Sequence, residues 1–316
     1  MATELAITTS NLTKQFERQV AVNKIELQVE AGEVYGLIGP NGAGKTTLMR
    51  MLAAAEEPTT GEIYIYGDRL LRDNSRPRLK QKLGYLPDDF PLYEDLNVWD
   101  YLDYFARLYH LKSPHRRRRI QEVLELVQLT SKKDSGIKTL SRGMKQRLSL
   151  ARTILHDPLL LLLDEPVSGL DPIARMQFRE VIRVLQTVGM TVFISSHVLS
   201  DLAELCTSVG IMELGYLVES TSLKQLYKRL SHQQIIIKTL GDLERLQGEL
   251  KGFSQVEAWE IIPHKNSLRV NFSGGDEESA ELLKYLINQE IPISEFHCTQ
   301  EDLESIFLNL GHKQAS

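Results

Sequence analysis

The stretch Gly39-Pro40-Asn41-Gly42-Ala43-Gly44-Lys45-Thr46 matches the pattern G-x-x-x-x-G-K-[ST], which is typical of loops that bind phosphate groups. Its glycines allow a tight backbone turn whose N–H groups point inward at phosphate oxygens. Residues 33–38 before the stretch have the pattern of a short apolar strand, and residues 46–55 after it have that of a helix. Because the N-terminal end of a helix favours an anion, this context predicts a nucleoside triphosphate site.

Two residues of this stretch have expected chemical roles. In loops of this kind the lysine, here Lys45, reaches the β- and γ-phosphates, and the hydroxyl of Thr46 ligates Mg²⁺. Together with the neighbouring Thr47, residues 39–47 are the predicted binding segment for ATP and Mg²⁺. We expect the bound ATP to be hydrolysed.

Length and composition restrict the class of protein. The chain has 316 residues, enough for two domains at roughly 150 residues per domain. A net charge of −5 does not suggest a protein that coats nucleic acid through positive charge, and no nucleic acid is expected as a partner. The two cysteines, Cys206 and Cys298, are far apart and predict neither a disulfide framework nor a metal site.

The sequence has no pattern for crossing a membrane. Its longest apolar run, residues 159–163, is far shorter than the ~20 residues that a spanning helix needs. The start Met1-Ala2-Thr3-Glu4 has no basic segment followed by an apolar stretch, so no secretory signal is expected. A role at a membrane would therefore require a partner protein.

Alternating strand and helix patterns over roughly the first 220 residues predict an α/β fold with a mainly parallel sheet. Residues 159–163 and 190–195 are predicted strands. The region 98–155 is strongly helical, with helices at 99–111 and 116–129. The basic run at 116–119 favours a solvated helix face; a contact with acidic lipid headgroups or a partner protein is the alternative.

After about residue 215 the pattern becomes strand-helix-strand-strand-helix-strand, which is the order of a ferredoxin-like domain. A small α+β domain is therefore expected at the C-terminal end, closed by one more helix. The predicted strands are residues 233–240, 256–262, 268–272 and 291–298, and the predicted helices are residues 242–251, 277–289 and 301–310.

Two adjacent carboxylates, Asp164 and Glu165, follow the apolar strand at 159–163. A core strand followed by a helix-capping acid is the simplest interpretation. A phosphate-binding loop, however, works beside a strand of this kind. Asp164 then holds Mg²⁺, directly or through water, and Glu165 orients and polarises the attacking water.

The stretch Leu140-Ser141-Arg142-Gly143-Met144-Lys145-Gln146-Arg147 fits a helix start with Ser141 as its N-cap. Its first turn is basic, which is unfavourable against the helix dipole. An anion bound at this helix start would explain the basic residues.

These three elements, in this order, strongly resemble the nucleotide-binding subunit of ABC (ATP-binding cassette) transporters over roughly residues 3–220. The third element resembles the ABC signature, usually LSGGQ and here LSRGM at 140–144. The resemblance implies that Ser141, Gly143 and Met144 bind ATP held by a second subunit. It also implies a P-loop NTPase cassette with a mainly parallel core sheet, an antiparallel β subdomain and a helical subdomain.

Further matches to the family follow along the chain. Phe16 lies where the family's A-loop aromatic stacks on adenine, a contact that contributes ~1–3 kcal/mol. His197 resembles the switch histidine that contacts the γ-phosphate. The resemblance implies catalytic roles for Lys45, Glu165 and His197. It also implies a nucleotide contact for Asp171, in a stretch that resembles the D-loop, Ser168-Gly169-Leu170-Asp171.

Two positions depart from the family pattern. After Tyr85-Leu86-Pro87, where the family has a Gln that touches Mg²⁺ and the attacking water, this chain has Asp88. A carboxylate can ligate Mg²⁺, but it adds negative charge and donates no hydrogen bond when ionised. The signature also lacks its first Gly and its Gln. We therefore expect an active but slow ATPase, with a catalytically weak or regulatory subunit as the alternative.

The resemblance also implies partners. A second ABC subunit, in a homodimer or a heterodimer, would close on ATP and open after hydrolysis. The helical subdomain at about 90–157 is expected to carry this motion. Residues 88–95, with Phe90, Pro91 and Tyr93, are expected to form the groove for an integral membrane permease subunit; buried loop packing is the alternative.

The C-terminal part narrows the resemblance. Residues 223–316, with QEDLESIF at 300–307, resemble the accessory domain of many ABC-2 type exporter ATPases, and residues 1–222 are then the nucleotide-binding domain. This resemblance implies an exporter subunit that lies in the cytoplasm, on the cytoplasmic face of the membrane. Its contact with the membrane would be made through the permease. A soluble ABC ATPase without a membrane partner is the alternative, although heptads and cysteine clusters typical of such proteins are missing from the sequence.

Overall fold

The computed structural model describes residues 4–70, 77–198, 202, 204–230, 233–262 and 266–300. Contacts divide the chain into two compact units, Met1–Leu223 and Lys224–Ser316. The predicted helix at 301–310 lies outside the described residues.

A long hairpin opens the first unit. Strands β1 (Leu5–Phe16) and β2 (Gln19–Glu30) pair antiparallel, and β4 (Thr60–Ile65) and β5 (Asp68–Arg69) extend them into a sheet of order β2-β1-β4-β5. Alternate residues of β2, such as Leu27, are buried, as expected for an antiparallel sheet with one face on the core. The expected antiparallel β subdomain is therefore present.

A six-stranded sheet forms the centre of the first unit. It contains β3 (Val34–Ile38), β6 (Leu83–Leu86), β7 (Leu160–Leu163), β8 (Thr191–Ser196), β9 (Ser208–Glu213) and β10 (Tyr216–Ser222). The strand order is β10-β9-β3-β8-β7-β6. All neighbours pair in parallel except β10, which is antiparallel to β9. The strands predicted at 33–38, 159–163 and 190–195 are confirmed as β3, β7 and β8.

The strands β3, β7 and β8 are buried along their whole length, because parallel strands are covered on both faces. Tyr35 of β3 and Phe193 of β8 stack with ring centroids 5.2 Å apart. They belong to one hydrophobic cluster that also includes residues of β1, β2 and the helix after β3. Both sheets and the helix after β3 therefore share one core, which holds the loop between β3 and that helix in place.

The helices of the first unit lie between these strands. Helix α1 (Lys45–Leu52) follows β3, the short α2 (Pro77–Lys80) precedes β6, and α6 (Pro172–Thr187) connects β7 to β8. Between β6 and β7 lie α3 (Val98–Leu108), α4 (His115–Leu126) and α5 (Arg142–Ile154). The helices predicted at 99–111 and 116–129 are thus confirmed with shifted ends. In the described part of the chain, no helix combines the length and apolar character needed to cross a membrane.

The second unit has the predicted ferredoxin-like order. Helix α7 (Leu223–Leu230) leads into β11 (Gln233–Thr239), α8 (Leu243–Leu250), β12 (Val256–Ile262), β13 (Ser267–Phe272), α9 (Asp276–Asn288) and β14 (Ile293–Gln300). The sheet order is β12-β13-β11-β14, with all pairs antiparallel. One face of this sheet packs against α8 and α9 through a cluster that includes Ile237, Val270, Leu246 and Leu282.

Candidate active site

The loop between β3 and α1 has the backbone shape that its glycines predict. Gly42 and Gly44 have φ values of +82° and +102°, which L side chains rarely adopt. A Cβ on Gly44 would lie 2.1 Å from the carbonyl oxygen of Ala21, and a Cβ on Gly39 would lie 2.1 Å from that of Met212. The close approach of β2 and β9 therefore requires glycine at both positions.

Lys45, the first residue of α1, is only 6% exposed. Its Nζ donates hydrogen bonds to the carbonyl oxygens of Gly39 at 2.7 Å and Pro40 at 3.2 Å. The same atom lies 3.4 Å from Oε1 of Glu165. A buried ammonium group requires such partners, and here they link the loop to the carboxylate after β7.

Asp164, directly after β7, is fully buried. Its Oδ1 accepts a 2.6 Å hydrogen bond from Oγ of Ser195, and that hydroxyl accepts one from the backbone N–H of Glu165 at 3.0 Å. The other oxygen of Asp164, Oδ2, is buried and has no hydrogen-bond partner among the described residues. Because an unpaired buried oxygen is costly, this atom is a candidate ligand for a cation.

Glu165 contacts the residue predicted as the switch histidine. Nδ1 of His197 lies 2.7 Å from Oε2 of Glu165, and the backbone N–H of His197 donates to the same oxygen at 3.4 Å. Glu165 has a φ of +47°, which is uncommon for a residue with a side chain and often marks a functional position. The Glu165 carboxylate thus contacts Lys45 through one oxygen and His197 through the other.

These side chains meet because the parallel strands β3, β8, β7 and β6 are successive neighbours in the sheet. Their carboxyl ends lead into the glycine loop, His197, the Asp164-Glu165 pair and Asp88. In open α/β sheets, ligands bind in the crevice at the carboxyl ends of the strands. The topology therefore brings together four predicted site segments that are distant in sequence.

A cavity of about 360 Å³ opens at this edge of the sheet. Its lining includes the glycine loop, the start of α1 and the end of the β1–β2 hairpin. The lining residues are Phe16, Gln19, Ala21, Asn41, Gly42, Ala43, Gly44, Lys45, Thr46, Thr47, Asp88 and Glu165. The ring of Phe16 is 45% exposed, so a nucleobase can stack on it.

Asp88 follows β6 and joins the carboxylates at the cavity. Burial raises the pKa of Asp88, and the negative charges of Asp164, Glu165 and Asp89 raise it further, while the positive charge of Arg142 lowers it. Burial acts in this direction because it disfavours the charged form. Asp88 therefore stands in an acidic environment that the positive charge of Arg142 partly offsets.

The residues at this edge fit a magnesium ion. Mg²⁺ prefers oxygen ligands and is usually held by one or two carboxylates together with substrate phosphates and water. The unpaired Oδ2 of Asp164 is one suitable donor, and Thr46 and Asp88 line the cavity. Within the described ranges, no three His, Cys, Asp or Glu side chains form a metal-binding group by themselves. The donor set suits an ion that phosphate oxygens help to hold.

The signature residues have local structural roles. Ser141 caps α5, and its Oγ accepts a hydrogen bond from the N–H of Met144 at 3.3 Å. A Cβ on Gly143 would lie 2.6 Å from Cβ of Ala174 in α6. Asp171 caps α6 and accepts from the N–H of Ala174 at 2.9 Å. The described residues that line the cavity do not include Ser141, Gly143, Met144 or Asp171.

A group of aromatic rings lies in the helical part of the first unit. This aromatic cluster consists of Tyr93, Tyr101, Tyr104 and Phe105. Tyr93 is 50% exposed and Tyr104 is 45% exposed. Phe90 is instead partly buried, with the guanidinium of Arg152 3.5 Å from its ring centroid. Of the predicted groove residues, Tyr93 is therefore exposed and Phe90 is packed against Arg152.

The fold and the site define a P-loop ATPase with a mainly parallel sheet and an Asp-Glu pair on the strand beside the loop. A family profile described as ABC transporter matches residues 22–168. A solved structure described as the ATP binding subunit of an ABC transporter is 27% identical, covers 78% of this chain and 99% of its own, and superposes with a TM-score of 0.64.

Two relatives match almost the whole chain. An uncharacterized ABC transporter ATP-binding protein of Bacillus subtilis (strain 168), YcbN, is 33% identical over 308 residues, with 96% of each chain covered. The bacitracin transport ATP-binding protein BcrA of Bacillus licheniformis is 32% identical over 306 residues, also with 96% of each chain covered. The chain therefore belongs to the ATP-binding subunits of ABC transporters, and it is an ATPase.

Proposed function

We propose that this chain powers an ABC-2 type exporter as one of two ATP-binding subunits that close on ATP and open after its hydrolysis. Residues 1–222 are the nucleotide-binding domain in this proposal, and residues 223–316 are an accessory domain. One observation carries the two-subunit arrangement: Lys45 and Glu165 line the cavity, whereas Ser141 and Gly143 do not. A symmetric second subunit can supply its own signature to the open side of this cavity.

The contacts of Glu165 support its role as the general base. His197 and Lys45 hold the two oxygens of its carboxylate, so the group has a defined orientation toward the cavity. A base within hydrogen-bond reach of the attacking water contributes typically ~10²–10⁴-fold to the rate. As Glu165 takes a proton from the attacking water, the water oxygen bonds to the γ-phosphorus, and the bond from that phosphorus to the β–γ bridging oxygen breaks, so that ADP leaves with the electron pair.

The other site residues bind the substrate. Lys45 and the N–H groups of the glycine loop hold the phosphates, and Phe16 stacks on the adenine. Thr46, Asp164 and Asp88 would hold Mg²⁺, which when bound neutralises charge on the phosphates. Ser141, Gly143, Met144 and Asp171 act on ATP held by the other subunit.

The membrane partner in this proposal is a permease subunit that binds the aromatic cluster. Exposed aromatic rings such as Tyr93 and Tyr104 are enriched in protein interfaces because they bury much apolar area. Export is supported by the match along 96% of the chain to BcrA, which is named for bacitracin transport. The subunit would then lie in the cytoplasm, on the cytoplasmic face of the membrane.

Mixing two inactive variants tests the shared site. Lys45→Ala lacks phosphate binding and Ser141→Arg blocks the signature, so each homodimer should be inactive. In an equimolar mixture about half of the dimers contain both variants, and each of these has one intact site of two, so up to about a quarter of the wild-type ATPase rate should return. A mixture that stays inactive contradicts the homodimer. Unfolding temperatures close to wild type would exclude misfolding of either variant.

Co-purification tests the membrane partner. The chain should be retained by a polytopic membrane protein encoded in a neighbouring reading frame. Tyr93→Asp with Tyr104→Asp should abolish this retention without loss of ATP binding, because charge disrupts an apolar contact. Val188→Asp is the matched control. Val188 directly follows α6 and is 73% exposed, so this variant should still be retained by the membrane protein. Equal retention of all variants would exclude the aromatic cluster as the permease contact.

A further inference from the structure

Lys14 lies in β1, two residues before Phe16, and its ammonium group is placed against the ring of Phe16. Nζ of Lys14 is 4.8 Å from the centroid of that ring, within the ~6 Å at which an aromatic face attracts a cation. Phe16 lines the cavity, but the described residues that line it do not include Lys14. The ammonium group therefore contacts the ring from outside the cavity and leaves the cavity side of the ring open to a nucleobase.

Two hydrogen bonds hold the ammonium group of Lys14 in this place. Nζ donates to Oε1 of Glu56 at 2.6 Å and to the carbonyl oxygen of Glu57 at 2.8 Å. The Lys14 side chain is only 13% exposed, although most lysine side chains in proteins are exposed. Because burial and two acceptors restrict this side chain, the positive charge beside Phe16 has a defined position.

The acceptors of Lys14 belong to the segment that follows the phosphate-binding helix α1. The backbone N–H of Glu56 donates to the carbonyl oxygen of Arg50 in α1 at 3.1 Å, so Glu56 is attached to the helix that Lys45 begins. Lys14 thereby links the aromatic ring at one end of the cavity to the helix at its phosphate end. A separation that is fixed before ATP arrives lowers the entropy cost of binding both the base and the phosphates.

We propose that Lys14 is a positioning residue for nucleotide binding: it holds the ring of Phe16 at a set distance from the phosphate-binding loop, so that adenine stacks on the other face of the ring. The proposal rests on the stacking of adenine on Phe16 proposed above, but not on a second subunit or a permease. Lys14 then contributes to the affinity for the base and has no part in the reaction at the γ-phosphate.

Equilibrium binding to the purified full chain tests this role. The two probes are a non-hydrolysable ATP analogue and inorganic tripolyphosphate, each with Mg²⁺. Lys14→Met should weaken binding of the analogue by about threefold or more. It should change binding of tripolyphosphate, which has no base, by less than about twofold. In a Phe16→Ala background, the same substitution should change binding of the analogue by less than about twofold.

Glu56→Gln is the matched control, because it removes the ion pair with Lys14 and leaves the ammonium group beside the ring. Glutamine retains an oxygen acceptor for Nζ, so this variant should bind the analogue within about twofold of wild type. Equal losses in Glu56→Gln and Lys14→Met would mean that the ion pair only stabilises the hairpin, and the proposal would be wrong. Equal losses for the analogue and for tripolyphosphate in Lys14→Met would overturn it as well.

Failure of this proposal can be distinguished from failure of the proposed function. Phe16→Ala should itself weaken binding of the analogue, and no loss in that variant would overturn the stacking on Phe16 and with it the role of Lys14. A loss in Phe16→Ala without a loss in Lys14→Met would overturn the role of Lys14 alone. If the variant-mixing experiment failed while Lys14→Met still weakened binding of the analogue selectively, the two-subunit function would be wrong and the role of Lys14 would stand.

Discussion

Nδ1 of His197 lies 2.7 Å from Oε2 of Glu165, and the two residues are brought together by the pairing of their strands. Glu165 follows β7 and His197 follows β8, which are parallel neighbours in the central sheet. Because both ends are fixed by a buried sheet, the carboxylate orientation depends little on loop motion. The central sheet therefore sets the relative position of Glu165 and His197.

Glu165→Gln should reduce ATP hydrolysis by ~10²–10⁴-fold while ATP binding persists. Glutamine has the same size but cannot accept the proton of the attacking water. Phosphate release measures the first effect, and equilibrium binding of ATP measures the second. Glu180→Gln, an exposed change on α6, serves as the control. A wild type as inactive as Glu165→Gln would refute the assignment of the base.

Two glycines of the phosphate-binding loop should respond differently to alanine. At Gly42 a Cβ meets no atom within 4 Å, so Gly42→Ala carries only the backbone penalty of a positive φ, about 1–2 kcal/mol. At Gly44 the added Cβ also clashes with the carbonyl oxygen of Ala21. We expect Gly44→Ala to lower ATP affinity and the unfolding temperature clearly more than Gly42→Ala. The reverse order in binding titrations and thermal unfolding would contradict the loop geometry.

Asp164→Asn should make hydrolysis depend on higher Mg²⁺ concentrations. The buried Oδ2 of Asp164 is the proposed ligand, and an amide is a weaker ligand for Mg²⁺ than a carboxylate. The Mg²⁺ concentration for half-maximal activity should rise, and EDTA should abolish wild-type hydrolysis. Ser195→Ala is the comparison, because it removes the hydrogen bonds of this hydroxyl with Oδ1 of Asp164 and with the N–H of Glu165, leaves Oδ2 in place, and should mainly reduce stability, by about 1–3 kcal/mol. Unchanged Mg²⁺ dependence in Asp164→Asn would exclude this ligand.

The free energy of unfolding should fall as pH drops below about 6.5, in part because of His156. Burial lowers the pKa of His156, the nearby charges of Arg119 and Arg152 lower it further, and a hydrogen bond with the Leu83 carbonyl acts in the opposite direction. The unfolded chain therefore binds this proton at a higher pH than the folded chain does, so acid favours unfolding. His156→Gln should flatten the dependence in urea unfolding between pH 7.5 and 5.5. The exposed His110 provides the control: His110→Gln should leave a slope like that of wild type.

Local sequence patterns predicted much of the fold and the main site segments. Three segments can be recognised from a few adjacent residues alone. They are the glycine loop, the all-apolar strand before Asp164 and the helix after Ser141. The strands β3, β7 and β8 could thus be placed within one or two residues. The helical region was harder, because the turns at Thr130–Lys132 and Ile137–Thr139 are set by packing and carry little periodicity.

Contacts between strands could not be predicted in the same way. Nothing local marks Ser195 as the hydroxyl that joins Asp164 to the N–H of Glu165, since a serine in a buried strand has no periodic signature. Its role follows only from the pairing of β7 with β8. The contact of Arg142 with Ser168 likewise joins segments 26 residues apart and depends on how α5 meets the turn after β7.

The position of the site along the chain has a consequence for synthesis. The cavity takes its first lining residue, Phe16, from the opening hairpin, and the partner of Glu165 is His197. A ribosome must therefore release nearly the whole first unit before the carboxylate has its histidine, and domains commonly fold in this N-to-C order during translation. A nascent chain stalled before β8 would carry a phosphate-binding loop but no assembled hydrolytic pair, so ATP consumption begins only when this unit is complete.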